Sequence, residues 1–345
     1  MSLESTGKVS EPSAAAEQAV FAGFWRRVIA FLIDTLLLGL LGLVLGLLFE
    51  SQFVELGQWG RVVGFAIAGA YFIPADSQLF NGQSVGKRLL GLRVQSVTGA
   101  LISLPRSALR YVIFGAAYFA NGVFIETGSN PGWAINVLGG VFVALLMVGL
   151  LGSLYLLVFN RPSRRTLHDL LTSTVVVRAS SPEAAVNVPL AGGHWVAIAA
   201  IPTLVVGVLA WANLKVGSFA PELAAAMRAR GAVATVPGVT NAGVVISTFH
   251  SSRSDTATTN LVVNAWVKEW PPERTEFARR LALAAADEQL NLSAMEQVIV
   301  VIHRGYDIGL ASLWRKESFS YPAKDIAAER STHRSPPSAA AREKT

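Results

Sequence analysis

From Val28 to Phe49 the chain runs for 22 residues with a single ionisable side chain, Asp34. At a rise of roughly 1.5 Å per residue, a helix of this length matches the hydrocarbon core of a bilayer. Lipid leaves no water for an unpaired N–H or C=O, so such a segment must satisfy its backbone internally. The run predicts a transmembrane α-helix. Trp133 to Phe159 is as long and as apolar, and Leu109 to Ile125 precedes it across a turn-forming connector, Glu126 to Gly132, so these two read as an antiparallel hairpin of helices. A further helix is predicted from Trp195 to Leu214, with its two tryptophans spaced as interfacial anchors. The shortest candidate, Val62 to Ala75, spans a membrane only if Trp59 and Arg61 extend it into the interface. About five transmembrane helices follow. Only 15% of the 345 residues are charged, against roughly 25% in soluble domains.

Basic residues fix the expected orientation. Lys8, Arg26 and Arg27 precede the first helix, Lys87, Arg88, Arg93, Arg106 and Arg110 follow the second, and Arg161, Arg164, Arg165 and Arg178 follow the fourth. The other two connectors offer only Arg61 and no basic residue, so the positive-inside rule places the N-terminus in the cytoplasm and everything after residue 215 outside it. Localisation in the cell (inner) membrane as a multi-pass protein follows. Residues 1–20 contain no apolar core, which predicts a disordered cytoplasmic N-terminus and no cleavable signal peptide. The chain has no cysteine, excluding disulfides and thiol chemistry. The net charge of +6 is scattered among apolar segments and does not predict nucleic-acid binding.

Beyond residue 215 the apolar period changes. Gly243 to Phe249 and Asn260 to Val267 read as a β-hairpin, a helix opens at Pro271-Pro272-Glu273, and Gln297 to Ile302 and Asp307 to Trp314 read as two further strands. The fold class is thus an α-helical integral membrane protein with a C-terminal extramembrane α+β domain, a ββαββ sandwich preceded by a short helix at Pro221 to Arg230. Phe277, Leu281, Ile299, Val301 and Leu310 are expected to supply its apolar face. The domain is bounded at residues 215–325, with 179–214 as linker and fifth helix, and 326–345 is expected to be a disordered tail.

Three stretches carry a family resemblance: Phe24-Trp25-Arg26-Arg27 leading to Asp34, then Asn81-Gly82-Gln83-Ser84-Val85-Gly86-Lys87-Arg88 running on to Arg93-Val94, and Arg164-Arg165-Thr166-Leu167-His168-Asp169. Together they resemble the RDD family of membrane proteins, named for an arginine and two aspartates, over about residues 21–178 as a four-helix membrane domain. The resemblance implies Arg27 as the arginine, Asp34 as the first aspartate and Asp169 as the second. It also implies membrane residence, with transport or ion exchange proposed for some members. It does not reach the C-terminal domain.

Read on their own, Arg27 and Asp34 share a helix face about 10.5 Å apart, too far for direct contact. A carboxylate at the depth of Asp34 costs about 2.5 to 3.5 kcal/mol on insertion scales and faces protein or water. It is either a proton or cation site or a structural group bonded to another helix or to a cytoplasmic-loop arginine. Gly82 to Arg93, with cations Lys87, Arg88 and Arg93, lacks the residue order of a nucleotide-binding loop and reads as an amphipathic interfacial segment alternating leucines with cations that anionic lipid attracts. Gly42 with Gly46, and Gly60 with Gly64, have the spacing of close helix packing. His168 and Asp169 point about 100° apart on a helix, favouring a cap or a bridge to Arg164 or Arg165 over a shared metal. His250, Ser251, Ser252 and Asp255 have the residue types of a hydrolytic triad but lie in one loop without a nucleophile elbow.

No catalytic residue, cofactor or metal site is expected. Two functions remain: an envelope binding or organising protein, with an envelope protein as partner of residues 215–325, and an ion or small-solute transporter using Asp34. Five helices with no visible inverted repeat are few for a transporter, which favours the first reading and makes homo-oligomerisation an expectation, with membrane lipids as the surrounding partners.

Overall fold

The computed structural model describes residues 21–121, 133–161, 163–181, 189–219, 221–250, 257–286 and 290–334. The expected disordered N-terminus, the connector Glu126 to Gly132, Ser251, Ser252 and Asp255, and the last residues of the expected tail lie outside them.

Helix α1 (Phe24–Leu48) buries one stripe, Ala30, Asp34, Leu38, Gly42 and Gly46, while Leu36, Leu40, Leu47 and Leu48 on its other side are exposed. A four-residue spacing keeps these buried positions on one helix face, so a single row of side chains meets successive partners along the axis. The chain turns through α2 (Glu50–Leu56) and returns in α3 (Gly60–Ala75), whose buried residues again include Gly60, Gly64 and Ala68. A short helix α4 (Val85–Leu89) and strand β1 (Leu92–Ser96) follow, then α5 (Leu104–Ala120). Helix α6 (Trp133–Met147) continues through a π-helical turn (Val148–Gly152) into α7 (Ser153–Phe159). Helix α8 (Leu167–Leu171) and strand β2 (Thr174–Arg178) follow, and α9 (Gly192–Phe219) packs against α6 and the π-helical turn, with His194 beside Tyr155 of α7, before the chain enters the C-terminal half.

Two of these helices are long and apolar enough to cross a membrane, Phe24–Leu48 and Leu138–Phe159, and Gly192–Val208 is a shorter apolar stretch. Helix α5 starts earlier than the expected Leu109 to Ile125 span, whose last four residues lie outside the described ones. The reason is chemical: Arg106 and Arg110, read as loop cations, are bonded inside the protein and so belong to the helix. The segment read as an interfacial amphipath also differs. Leu92 and Val94 are fully buried, because β1 pairs antiparallel with β2, Val94 opposite Val176, and Ala22 donates to the Val176 carbonyl. Only Val85 and Leu89 in α4 keep an exposed apolar face.

In the C-terminal half, α10 (Pro221–Ala234), β3 (Val239–His250), β4 (Ala257–Val267), α11 (Arg274–Ala285), β5 (Gln297–Asp307), β6 (Ser312–Pro322) and α12 (Ala323–Arg334) form one layer of helix on one four-stranded sheet of order β3-β4-β5-β6. Strands β4 and β5 are parallel, as a helical crossover through α11 requires, and the other pairs are antiparallel. The core sets Ala225, Ala229 and Val233 of α10 and Phe277, Leu281 and Ala285 of α11 against Leu261, Val263, Val298, Val300 and Ile302.

Three expectations are corrected here. Ile299 and Val301 are not in this core, because the run Val298 to Ile302 is apolar throughout and its alternation faces the helices with the even-numbered residues. Asp307 to Trp314 is not a strand: Asp307 ends β5, Ser312 begins β6, and the turn between them, with Leu310, leaves the domain for the helical half. Residues 326–334 are helical, with Ile326 buried beside Leu292, so the folded chain continues past 325.

Candidate functional site

At the N-terminal end of α1 the buried charges form one chain. Arg27 donates to Asp169 at 2.8 Å, Arg110 donates to the other oxygen of Asp169 at 2.7 Å and to Asp76, and Lys87 reaches Asp76 at 2.6 Å. Five elements therefore meet through alternating charges, Arg27, Asp169, Arg110, Asp76 and Lys87. Each carboxylate is held by two cations, which is the condition under which buried ions are tolerated. Asp169 is fully buried and also accepts from the Thr166 backbone N–H and hydroxyl, closing a capping box on α8. Burial alone would raise its pKa, but Arg110 and Arg27 outweigh that and hold the carboxyl well below its usual range. His168, 12% exposed, packs edge-on against Phe114 and is pushed down to about pKa 3, chiefly by burial, so it is a neutral imidazole.

Asp34 lies apart from this chain. Its carboxylate accepts hydrogen bonds from the Tyr71 hydroxyl at 2.7 Å, the Ser84 hydroxyl at 2.5 Å and the Gly86 backbone N–H at 2.7 Å, and it is 1% exposed. Hydrogen bonds to a charged group contribute about 1.5 to 3 kcal/mol each, enough together to offset the insertion cost of the carboxylate. The glycine is required here: a Cβ on Gly86 would collide with the Ala30 backbone, so α4 lies directly on α1 and brings its N–H to Asp34. Through these bonds Asp34 ties the segment after α3 to α1.

Between the charge chain and Asp34 lies a cavity of about 380 Å³. Its polar wall includes Arg27, Asp34, Asp76, Lys87, Arg110 and Ser153, and its apolar wall includes Phe31, Phe72, Phe114, Leu150, Leu154 and Leu157. The π-helical turn carries Leu150 into this wall, a distortion often found at functional sites. Lys87 lies 5.7 Å from the Phe72 ring centre, joining the two walls.

Of the candidate residues, Arg27, Asp169 and Lys87 are in the charge chain and Asp34 lines the same cavity. Arg88 is exposed and not part of it, and Arg93 donates to the Ser181 carbonyl, stitching β1 to the chain after β2. Of the expected cap or bridge to Arg164 or Arg165, the cap is present, Asp169 closing the box with Thr166, and the carboxylate pairs with Arg27 and Arg110. Arg164 instead donates to the Leu157 and Val158 carbonyls, and Arg165 donates to the Thr174 carbonyl. Asp76, Arg110, Tyr71 and Ser84 were missed. Asp76 carried a signal, an acid placed directly after the uncharged run Val62 to Ala75.

Residues 21–173 match the model of the RDD family. Uncharacterized protein YckC of Bacillus subtilis (strain 168) is 28% identical over 172 residues, which is 48% of this chain and 90% of that protein. No solved structure matches. The match begins at Phe21, ends just short of β2, and contains every member of the charge chain, so the region that builds the site is the region similar to the RDD family.

Proposed function

We propose that the chain is a multi-pass envelope membrane protein that binds a small solute in the inter-helix cavity, the reading that leads to transport. In this reading α1, α3, α5, α6 with α7, and α9 are five transmembrane helices, the charge chain lies at the cytoplasmic face, and the ββαββ domain is extracytoplasmic. The arrangement of ends supports that topology. Arg27, Lys87, Arg110 and Asp169 come from segments far apart in the chain yet meet at one end, whereas Glu50, Arg61 and the C-terminal domain lie together at the other.

The observation that carries the function is the cavity itself, whose apolar wall is broken by charges balanced within the protein. Arg27, Lys87 and Arg110 are matched by Asp34, Asp76 and Asp169, so the site suits a solute with an apolar body and a polar or zwitterionic end rather than a bare ion of either sign. Native mass spectrometry of the protein released from mild detergent tests this, with Ser153→Trp as the cavity-filling control. A species retained by the native protein and lost from the variant is expected. Retention by both, or by neither, would contradict the reading.

A second reading, recognition of an envelope partner, is favoured by the open face of the sheet. There Val245, Val262 and Ile299 lie in cross-strand register on the side away from α11, and Val245 is 55% exposed.

A further inference from the structure

The turn between β5 and β6 leaves its own domain and enters the helical half. Ile308 is fully buried beside Phe53 and Val54 of α2, with Val63 of α3 packed on the same group, and Leu310 packs with Leu38, Ala68, Tyr111 and Phe119. The seat is built of glycine. A Cβ at Gly42 would stand 2.8 Å from that of Leu310, one at Gly46 would collide with the Tyr306 hydroxyl, and one at Gly64 would collide with the Ile308 carbonyl. The glycine pairs therefore accept a β-turn and not a neighbouring helix. Two N–H groups of the inserted turn find partners within it, as a segment away from water requires: Ile308 donates to the Ala311 carbonyl at 3.1 Å and Gly309 to the Asp307 carboxylate at 2.7 Å. Ion pairs ring the entrance, Arg61 with Asp307 at 2.5 Å and Glu50 with Arg315 at 2.9 Å.

What lies beneath the turn gives it a role. Phe31, Phe72, Tyr111 and Phe114 wall the 380 Å³ cavity and also wall a second void of about 30 Å³, whose remaining boundary includes Gly309 and Leu310. The void bounded by the turn is thus separated from the cavity at the charged end by four shared aromatic rings. We propose that the β5–β6 turn is a stopper, by which the C-terminal domain closes the far end of the inter-helix cavity and opens it when the turn withdraws from the glycine seat. The stopper rests on the proposed function only for what it retains, since its geometry requires no solute.

The chain has no cysteine, so introduced thiols report without background. In membrane vesicles, the full chain carrying Gly60→Cys with Ile308→Cys should form an internal disulfide on mild oxidation, because a Cβ built at Gly60 lies 3.3 Å from Ile308 Cγ2. Absence of that disulfide would overturn the seating. Separately, Ala68→Cys, in the wall of the small void, should react slowly with an impermeant maleimide applied from the side of the C-terminal domain. Adding Leu310→Asp, which makes the tip too polar for its seat, should accelerate labelling about tenfold or more, since reactivity follows the open population. Gly64→Leu, which fills the seat from the helix side, should do the same and serves if the first variant fails to accumulate. Unchanged labelling in an abundant variant, or fast labelling without either substitution, would overturn the stopper. A stopper found in a protein that retains no solute would leave this inference standing and remove the solute reading.

Discussion

Replacing Asp169 with Asn removes the charge that two buried guanidinium groups share. Arg110 retains Asp76, but Arg27 loses its carboxylate and is left with the Arg164 carbonyl. Stranding a buried charge in this way costs about 3 to 5 kcal/mol. The loss of two charge-assisted hydrogen bonds, at about 1.5 to 3 kcal/mol each, gives a similar figure by a separate route. The asparagine also turns an N–H₂ toward groups that donate, Arg27, Arg110 and the Thr166 N–H. For a cooperative unit of this size the change corresponds to a fall in midpoint of roughly 10 °C, measurable by temperature-resolved size-exclusion chromatography of the detergent-solubilised protein. A second substitution, Arg27→Gln, removes the stranded cation, so the double variant should lose less than the sum of the singles, with a coupling of about 0.5 to 3 kcal/mol. An Asp169→Asn midpoint within about 2 °C of the native protein, or strict additivity in the double variant, would refute the shared-charge account.

Asp34→Asn strands no cation, so it should cost less, about 1 to 3 kcal/mol, leaving abundance near native while loosening α4 from α1; an unchanged midpoint would contradict the tie. His168, neutral with a folded pKa of about 3 against an ordinary 6.5, makes no pH-dependent contribution above pH 6.5. Below that the unfolded chain takes up the proton first, so stability should fall by about 2 kcal/mol by pH 5 and go on falling toward pH 3, and His168→Gln should flatten the midpoint over that range. Superimposable pH profiles would contradict the assignment. Reporter fusions after Phe49 and Gly217 should be active only with an extracytoplasmic reporter and those after Gly99 and Ser180 only with a cytoplasmic one; a cytoplasmic signal after Gly217 would break the five-crossing topology.

The apolar runs were legible because lipid imposes one demand over a whole segment, and α1 lies within four residues of where Val28 to Phe49 placed it. What escaped the sequence depended on partners far along the chain. Strands β1 and β2 have five residues each, and Leu92 and Val94 alternate with Arg93 as they would at a lipid surface; only pairing with Val176 makes them a buried strand. The face of β5 could not be read from Val298 to Ile302, since an unbroken apolar run has no polar side. Gly42, Gly46, Gly60 and Gly64 signalled close approach, but the approaching groups are the β5–β6 turn and, at Gly46, the Tyr306 ring of β5, all more than 240 residues further on. Arg27 and Asp169 were found through their motifs, whereas Arg110 was counted as an orientation signal because its sequence neighbours give no hint of the two carboxylates it joins.

A density map of the full chain in lipid nanodiscs, at a resolution that separates side chains, tests the solute-binding account most directly. The account requires density for a small molecule bounded by Phe31, Phe114 and Leu154, with its polar end at Lys87 and Arg110. A cavity that is collapsed, or occupied only by an acyl chain entering from the bilayer, would contradict it.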